Sequence, residues 1–194
     1  MKVVSLVPSI TETLFDLGLT SDEIVGRTKF CIHPKELVKD VEIIGGTKNL
    51  NIEKIKALKP DLIIANKEEN VKEQVEELMK DFKVLVTNVE TLEDNYYLIK
   101  QFGHLFGKEE KAQFSNTKTD VVFDIPKRET KLKVAYLIWK DPYMTVGGDT
   151  FISRILEELG FENLFKNQKR YPEVQLEDLQ EADLIFLSSE PFPF

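Results

Sequence analysis

Apolar and polar positions follow two periods along this chain, and each change of period marks an element. Residues 2–7 (KVVSLV) are an almost unbroken apolar run ended by Pro8, which reads as a buried strand. Residues 10–18 (ITETLFDLG) carry apolar side chains at helical spacing and close at Gly18. EIVGRT at 23–28 is a second short strand leading into KFCIHPKEL, and EIIGG at 42–46 is a third. Over 51–60, Ile52, Ile55 and Leu58 share one helical face and Pro60 stops the helix; DLIIAN at 61–66 is again strand. Val71, Val75, Leu78 and Met79 form the stripe of a further helix, and KVLVTNV at 83–89 returns to strand. Strands alternating with helices in this way predict a mainly parallel sheet covered by helices.

From Thr91 the period is helical for longer. Thr91 and Asp94 form a cap pattern, and Leu92, Tyr96, Ile99, Phe102 and Phe106 form a stripe that Gly107 interrupts before a second helix ahead of Pro126. KRETK is an exposed charged turn. A second α/β half then begins: KLKVAYLIW is strand, DTFISRILEELG helix, LEDLQEA a short helix and DLIFLSS strand. The expected organisation is an α/β lobe at 1–90, a helical connector at 91–130 and an α/β lobe at 131–194. The last is expected to be incomplete, because EPFPF stands where another helix is due.

At the first helix start, Ser9 and Glu12 have capping-box spacing, which accounts for both residues without a ligand. Open parallel sheets, however, hold ligands beyond the carboxyl ends of their strands. In the first half those ends carry Pro8 and Ser9, then Lys29, Phe30, Cys31 and His33, then Gly46 and Thr47, then Asn66; in the second half they carry Trp139, Asp141, Tyr143, Gly147-Gly148 and Glu190. Trp139 and Tyr143 either pack a lobe edge or wall a flat guest. Arg27, Lys29, Lys48, Lys67 and Lys140 near the same ends could together steer an anionic ligand.

Charge and composition then remove classes of function. With 34 acidic against 26 basic residues and a formal net charge of -8, nucleic acid is not an expected partner. A single cysteine excludes an internal disulfide framework, and Cys31 with His33 supplies two metal ligands where zinc takes three or four. His33 is either a wall residue or an axial ligand to a metal already held in a macrocycle. Cys31 as a nucleophile would need a base and an oxyanion hole, and the sequence suggests neither. No run approaches the roughly 20 apolar residues of a membrane span. Lys2 leads straight into the first strand with no signal-peptide pattern, so the protein is expected to be cytoplasmic if the sequence is complete.

The stretches SLVPSITETLFDLG, KFCIHPKE, NIEKIKALKPDLIIANKEEN and YLIWKDPYMTVGGDTFI through ADLIFLSSEPFPF resemble the class III substrate-binding proteins of ABC importers. Those are helical-backbone metal receptors for cobalamin, haem and iron–siderophore complexes. The resemblance implies two α/β lobes joined by a long helix, with the cargo clamped between them. It implies no enzymatic activity and no catalytic cofactor, a corrinoid, haem or iron–siderophore cargo, and an ABC permease as partner. It further implies a monomer in a periplasmic or membrane-anchored extracytoplasmic setting. Aromatic walls of the cobalamin cleft fall near Phe30, Thr47 and Asn66, of which only Phe30 is aromatic here. Permease docking would fall on Glu69 and Glu73 in one lobe and Glu177 in the other. The Cys31/His33 pair keeps a second expectation open, a cytoplasmic chelate-handling protein or enzyme on the same scaffold.

Overall fold

The computed structural model describes residues 1–124 and 130–188. Within them the chain divides into two compact units, one of residues 1–88 and 97–115, the other of residues 89–96 and 116–194.

The first unit opens with β1 (Val3–Ser5), fully buried, and passes into α1 (Pro8–Asp16). The capping box expected at Ser9 does not form. Pro8 itself is the first helical residue, Val7 is the N-cap in extended conformation, and no side chain caps the helix. Proline suits that position because its fixed φ is already helical and its missing N–H has no intrahelical partner there. Gly18 closes the helix at φ +88, with Leu19 N–H returning to Leu14 O at 3.0 Å.

β2 (Ile24–Arg27) and a single helical turn, α2 (Lys35–Val38), follow. The EIIGG run is two short strands rather than one: β3 (Glu42–Ile43) belongs to the main sheet, whereas β4 (Gly45–Gly46) turns away to pair antiparallel with β5 (Asn49–Leu50). Gly45 makes the turn at φ +115, where a Cβ would stand 2.4 Å from Asn49 O. α3 (Ile52–Leu58) is capped by Asn51, whose side chain accepts from Lys54 N–H at 3.0 Å. β6 (Leu62–Asn66), α4 (Lys72–Leu78) and β7 (Val84–Thr87) complete the unit's α/β part.

The sheet order is β3-β2-β1-β6-β7 and every pairing is parallel, so the carboxyl ends of all five strands share one edge. Its core holds Leu6, Leu14, Ile24, Ile44, Ile55, Ile63, Ile64 and Leu78 at full burial. Burying each such side chain contributes about 2 kcal/mol. The free side of β3 is blunted by Lys54, whose ammonium binds Ile43 O at 3.0 Å and the Glu42 carboxylate.

The helical stretch after Thr91 is α5 (Leu92–Phe106) and α6 (Glu109–Phe123), separated at Gly107 with φ +65. The start of α5 is held by the Thr91/Asp94 cap. Asp94 N–H donates to Thr91 Oγ1 at 3.1 Å, and the Asp94 carboxylate accepts from Thr91 N–H at 2.9 Å. In the first unit Phe102 is fully buried, and Gly103 lies so near Ala112 that a Cβ on it would stand 2.6 Å from that of Ala112. In the second unit the Tyr96 hydroxyl donates to Asp120 at 2.6 Å.

The second unit is built on β8 (Lys133–Trp139), followed by β9 (Met144–Thr145), α7 (Phe151–Glu158), β10 (Glu162–Asn163), a 3₁₀ turn at Leu176–Leu179 and β11 (Leu184–Leu187). β8 pairs parallel with β10 and β11, while β9 pairs antiparallel with it. Ala135, Leu137, Phe165, Val174 and Leu179 form the core, and Phe186 meets Tyr136 and Phe161 edge-on. Among the described residues β11 pairs with β8 alone, and Leu184, Ile185 and Leu187 are exposed.

Candidate functional site

In the first unit, strand-end loops converge as the parallel order requires. The backbone N–H of Lys29, just past β2, donates to Gly45 O at 2.8 Å, which brings the loop after β2 onto the β4–β5 hairpin. Phe30 is 40% exposed, and its ring edge lies on Gly46: a Cβ there would stand 3.3 Å from Phe30 Cε2 and 3.5 Å from Lys29 Cε. The Lys29 ammonium sits 5.0 Å from the centroid of the Phe30 ring. Lys29, Phe30 and Gly46 therefore form one small platform at the sheet's carboxyl edge.

Asn70 fixes this face from behind, and sequence reasoning missed it. Nearly buried, it donates to Leu6 O at 3.2 Å and Thr47 O at 3.1 Å, while its Oδ1 accepts from Asn66 N–H at 2.8 Å. One amide thus ties the exits of β1 and β6 to the hairpin. The only sequence signal was a polar residue directly before the apolar stripe of α4. Asn66, expected to meet ligand, spends its side chain locally: Oδ1 accepts from the N–H groups of Glu68 and Glu69, and Nδ2 donates to Thr87. Lys48 reaches across to Glu68 O.

Cys31 corrects a second expectation. It is fully buried under the Lys29–Phe30 turn, with the Thr11 hydroxyl donating to Sγ at 3.1 Å and the Thr28 hydroxyl sharing a hydrogen bond with Sγ at the same distance. Two hydroxyls and a sealed position suit an anchor, not a ligand contact or a nucleophile. Arg27 is likewise structural: its guanidinium is buried and bonds Val38 O at 2.7 Å and Thr28 O at 3.3 Å. Thr47 is buried, Pro8 half-buried, and Ser9 and His33 are exposed. Glu69 is exposed in the loop before α4, and Glu73 is exposed in the first turn of α4.

In the second unit Trp139 ends β8 and is 43% exposed, and Asp141 stands exposed beyond it at φ +65. Tyr143 is half-buried against the unit's core, which matches its packing alternative. Gly147 and Gly148 serve backbone packing: Cβ atoms there would stand 2.5 Å from Gln168 O and 2.1 Å from Lys166 O. Asn163 anchors this unit as Asn70 anchors the first, donating to Val146 O at 2.9 Å and Ser153 Oγ at 3.0 Å. Glu177 is exposed on the 3₁₀ turn, and Glu190 lies outside the described residues. Among the described residues no group of three or more His, Cys, Asp or Glu is placed to hold a metal ion, and no helix is long and apolar enough to cross a membrane.

Residues 3–190 match the family described as periplasmic binding protein. The chain is 34% identical over 190 residues to the uncharacterized ABC transporter substrate-binding lipoprotein YvrC of Bacillus subtilis, covering 91% of this chain and 59% of that protein. It is 27% identical to the vitamin B12-binding protein of Vibrio campbellii, covering 96% and 70%. A possible iron-binding periplasmic solute-binding protein from Staphylococcus epidermidis superimposes with a TM-score of 0.77 at 28% identity, covering 97% of this chain and 77% of that one. The chain therefore spans between 59% and 77% of the length of these proteins.

Proposed function

Because this chain belongs to the periplasmic binding protein family, we propose that it is the substrate-binding component of an ABC importer and that its cargo is a metal chelate, a corrinoid or an iron complex. The family is one of carriers, not enzymes, and the sealed thiol of Cys31 removes the one nucleophile that favoured a catalytic alternative. The observation that carries the reading is the Lys29–Phe30–Gly46 platform, an exposed aromatic ring held at the carboxyl edge of a parallel sheet.

Cargo preference draws on two relatives. One is named for vitamin B12, itself a bulky chelate, and the other for possible iron binding. Phe30 offers exposed aromatic area at a strand end of the first unit, where burial against such a surface contributes binding energy. By the same family reasoning the carrier works outside the cytoplasm as a monomer, and Glu69, Glu73 and Glu177 are the exposed acids offered to a permease.

Calorimetric titration of the protein with cyanocobalamin, haemin, ferric citrate and a ferric hydroxamate tests the proposal. Saturable one-to-one binding of at least one of them is expected. Failure of all four would refute the chelate carrier.

A further inference from the structure

We infer that Lys29 is a specificity-determining residue that makes the first unit select a chelate bearing free carboxylates over a neutral one. The inference rests on the chelate-carrier reading and adds the charge of the cargo to it.

Several of the chain's cations are held by carboxylates. Lys39, Lys54, Lys56, Lys72, Lys133 and Lys166 each lie within ion-pair distance of a carboxylate. Arg27, two residues before Lys29, is buried on backbone carbonyls. Among the described residues Lys29 has no carboxylate partner; its ammonium rests over the Phe30 ring instead. A cation–π contact orients the ammonium while leaving its N–H donors open to an incoming anion.

The position is also fixed in advance. Lys29 N–H is bonded to Gly45 O, Cys31 N–H to Thr28 O at 3.1 Å, and the Cys31 thiol below is gripped by Thr11 and Thr28. The turn that carries charge and ring is therefore held from beneath by a buried anchor and from the side by a hairpin. Little ordering is left for a ligand to impose, so charge and apolar face are offered together at a set spacing. A flat chelate with a carboxylate at its rim satisfies both groups at once. A neutral chelate of the same size uses the ring and leaves the ammonium to water. The protein is acidic overall, with net charge -8, so long-range attraction does not favour anions. Discrimination has to come from local cations, and Lys29 is the one that stands on the platform beside Phe30.

The full chain and the variants Lys29→Gln and Lys29→Arg are titrated calorimetrically with haemin and ferric citrate, which carry carboxylates, and with cyanocobalamin, which is neutral. Near-ultraviolet circular dichroism confirms that each variant is folded. The wild type is expected to bind a carboxylate chelate more tightly than cyanocobalamin. Lys29→Gln should weaken that chelate about tenfold and flatten its dependence on salt, with cyanocobalamin unchanged and most of the loss restored by Lys29→Arg. A preference for cyanocobalamin, or a Lys29→Gln variant that weakens both classes alike or neither, overturns the inference while the carrier stands. If no chelate binds the wild type, the carrier reading fails first and takes the inference with it.

Discussion

The side-chain amide of Asn70 donates to the carbonyl of Thr47 at 3.1 Å, joining residues 23 apart in sequence. The same nitrogen reaches Leu6 O, and the same side chain accepts from Asn66 N–H. Its three bonds are the cross-link of the candidate face. Asn70→Ala strands two nearly buried carbonyls and one N–H, so a loss of about 2–3 kcal/mol in urea unfolding is expected. A loss within experimental error would mean that water replaces the amide and that the loops hold themselves.

Cys31 gives a chemical readout. Fully buried and held by two hydroxyls, its thiol should be inert to a disulfide reagent in the native protein and react fully once the protein is denatured. Rapid reaction of the native protein would place the thiol at the surface and return the enzymatic alternative to consideration.

Tyr96 is a titration marker for the second unit. Its hydrogen bond to Asp120, then partial desolvation and then the charge of that carboxylate push the phenol up from 10.0 to about 12. The native state holds this proton more tightly than the unfolded chain does. The contribution to stability is therefore complete below pH about 10 and is lost as pH rises from there to about 12. Ultraviolet absorbance titration should show one phenol ionising late, and Asp120→Asn should return it toward the ordinary value. An unchanged profile in Asp120→Asn would break the assignment.

Two glycines of the helical stretch should behave differently. At Gly107 nothing lies near a prospective Cβ, so Gly107→Ala carries only the cost of φ +65, about 1 kcal/mol. At Gly103 the neighbouring Cβ of Ala112 is 2.6 Å away, so Gly103→Val must separate α5 from α6 and should cost about 2 kcal/mol or more. Thermal unfolding of the two variants tests the order.

The sequence showed long aliphatic elements well and short or polar ones poorly. β1, β6, β7, β8 and β11 are mostly apolar runs that signal a strand without partner information, and each stands where its run predicts, although β11 is largely exposed. β9 and β10 are two-residue strands, too short for any period to register. EIIGG read as one strand because the break depends on the φ of Gly45, which spacing does not encode. Ser9 and Glu12 had capping-box spacing, but Pro8 entered the helix first. At the candidate face Lys29, Phe30 and Gly46 were identified from strand order, and the structure brings these three together. Asn70 and Thr11 were not identified, because their roles are hydrogen bonds to residues far along the chain.

Whether Phe30 meets the cargo is the point most directly open to measurement. Calorimetric titration of the protein with haemin, ferric citrate and cyanocobalamin should give saturable binding of at least one of them, with the midpoint about tenfold higher in a folded Phe30→Ala variant. Saturable binding that is indifferent to Phe30→Ala would contradict it.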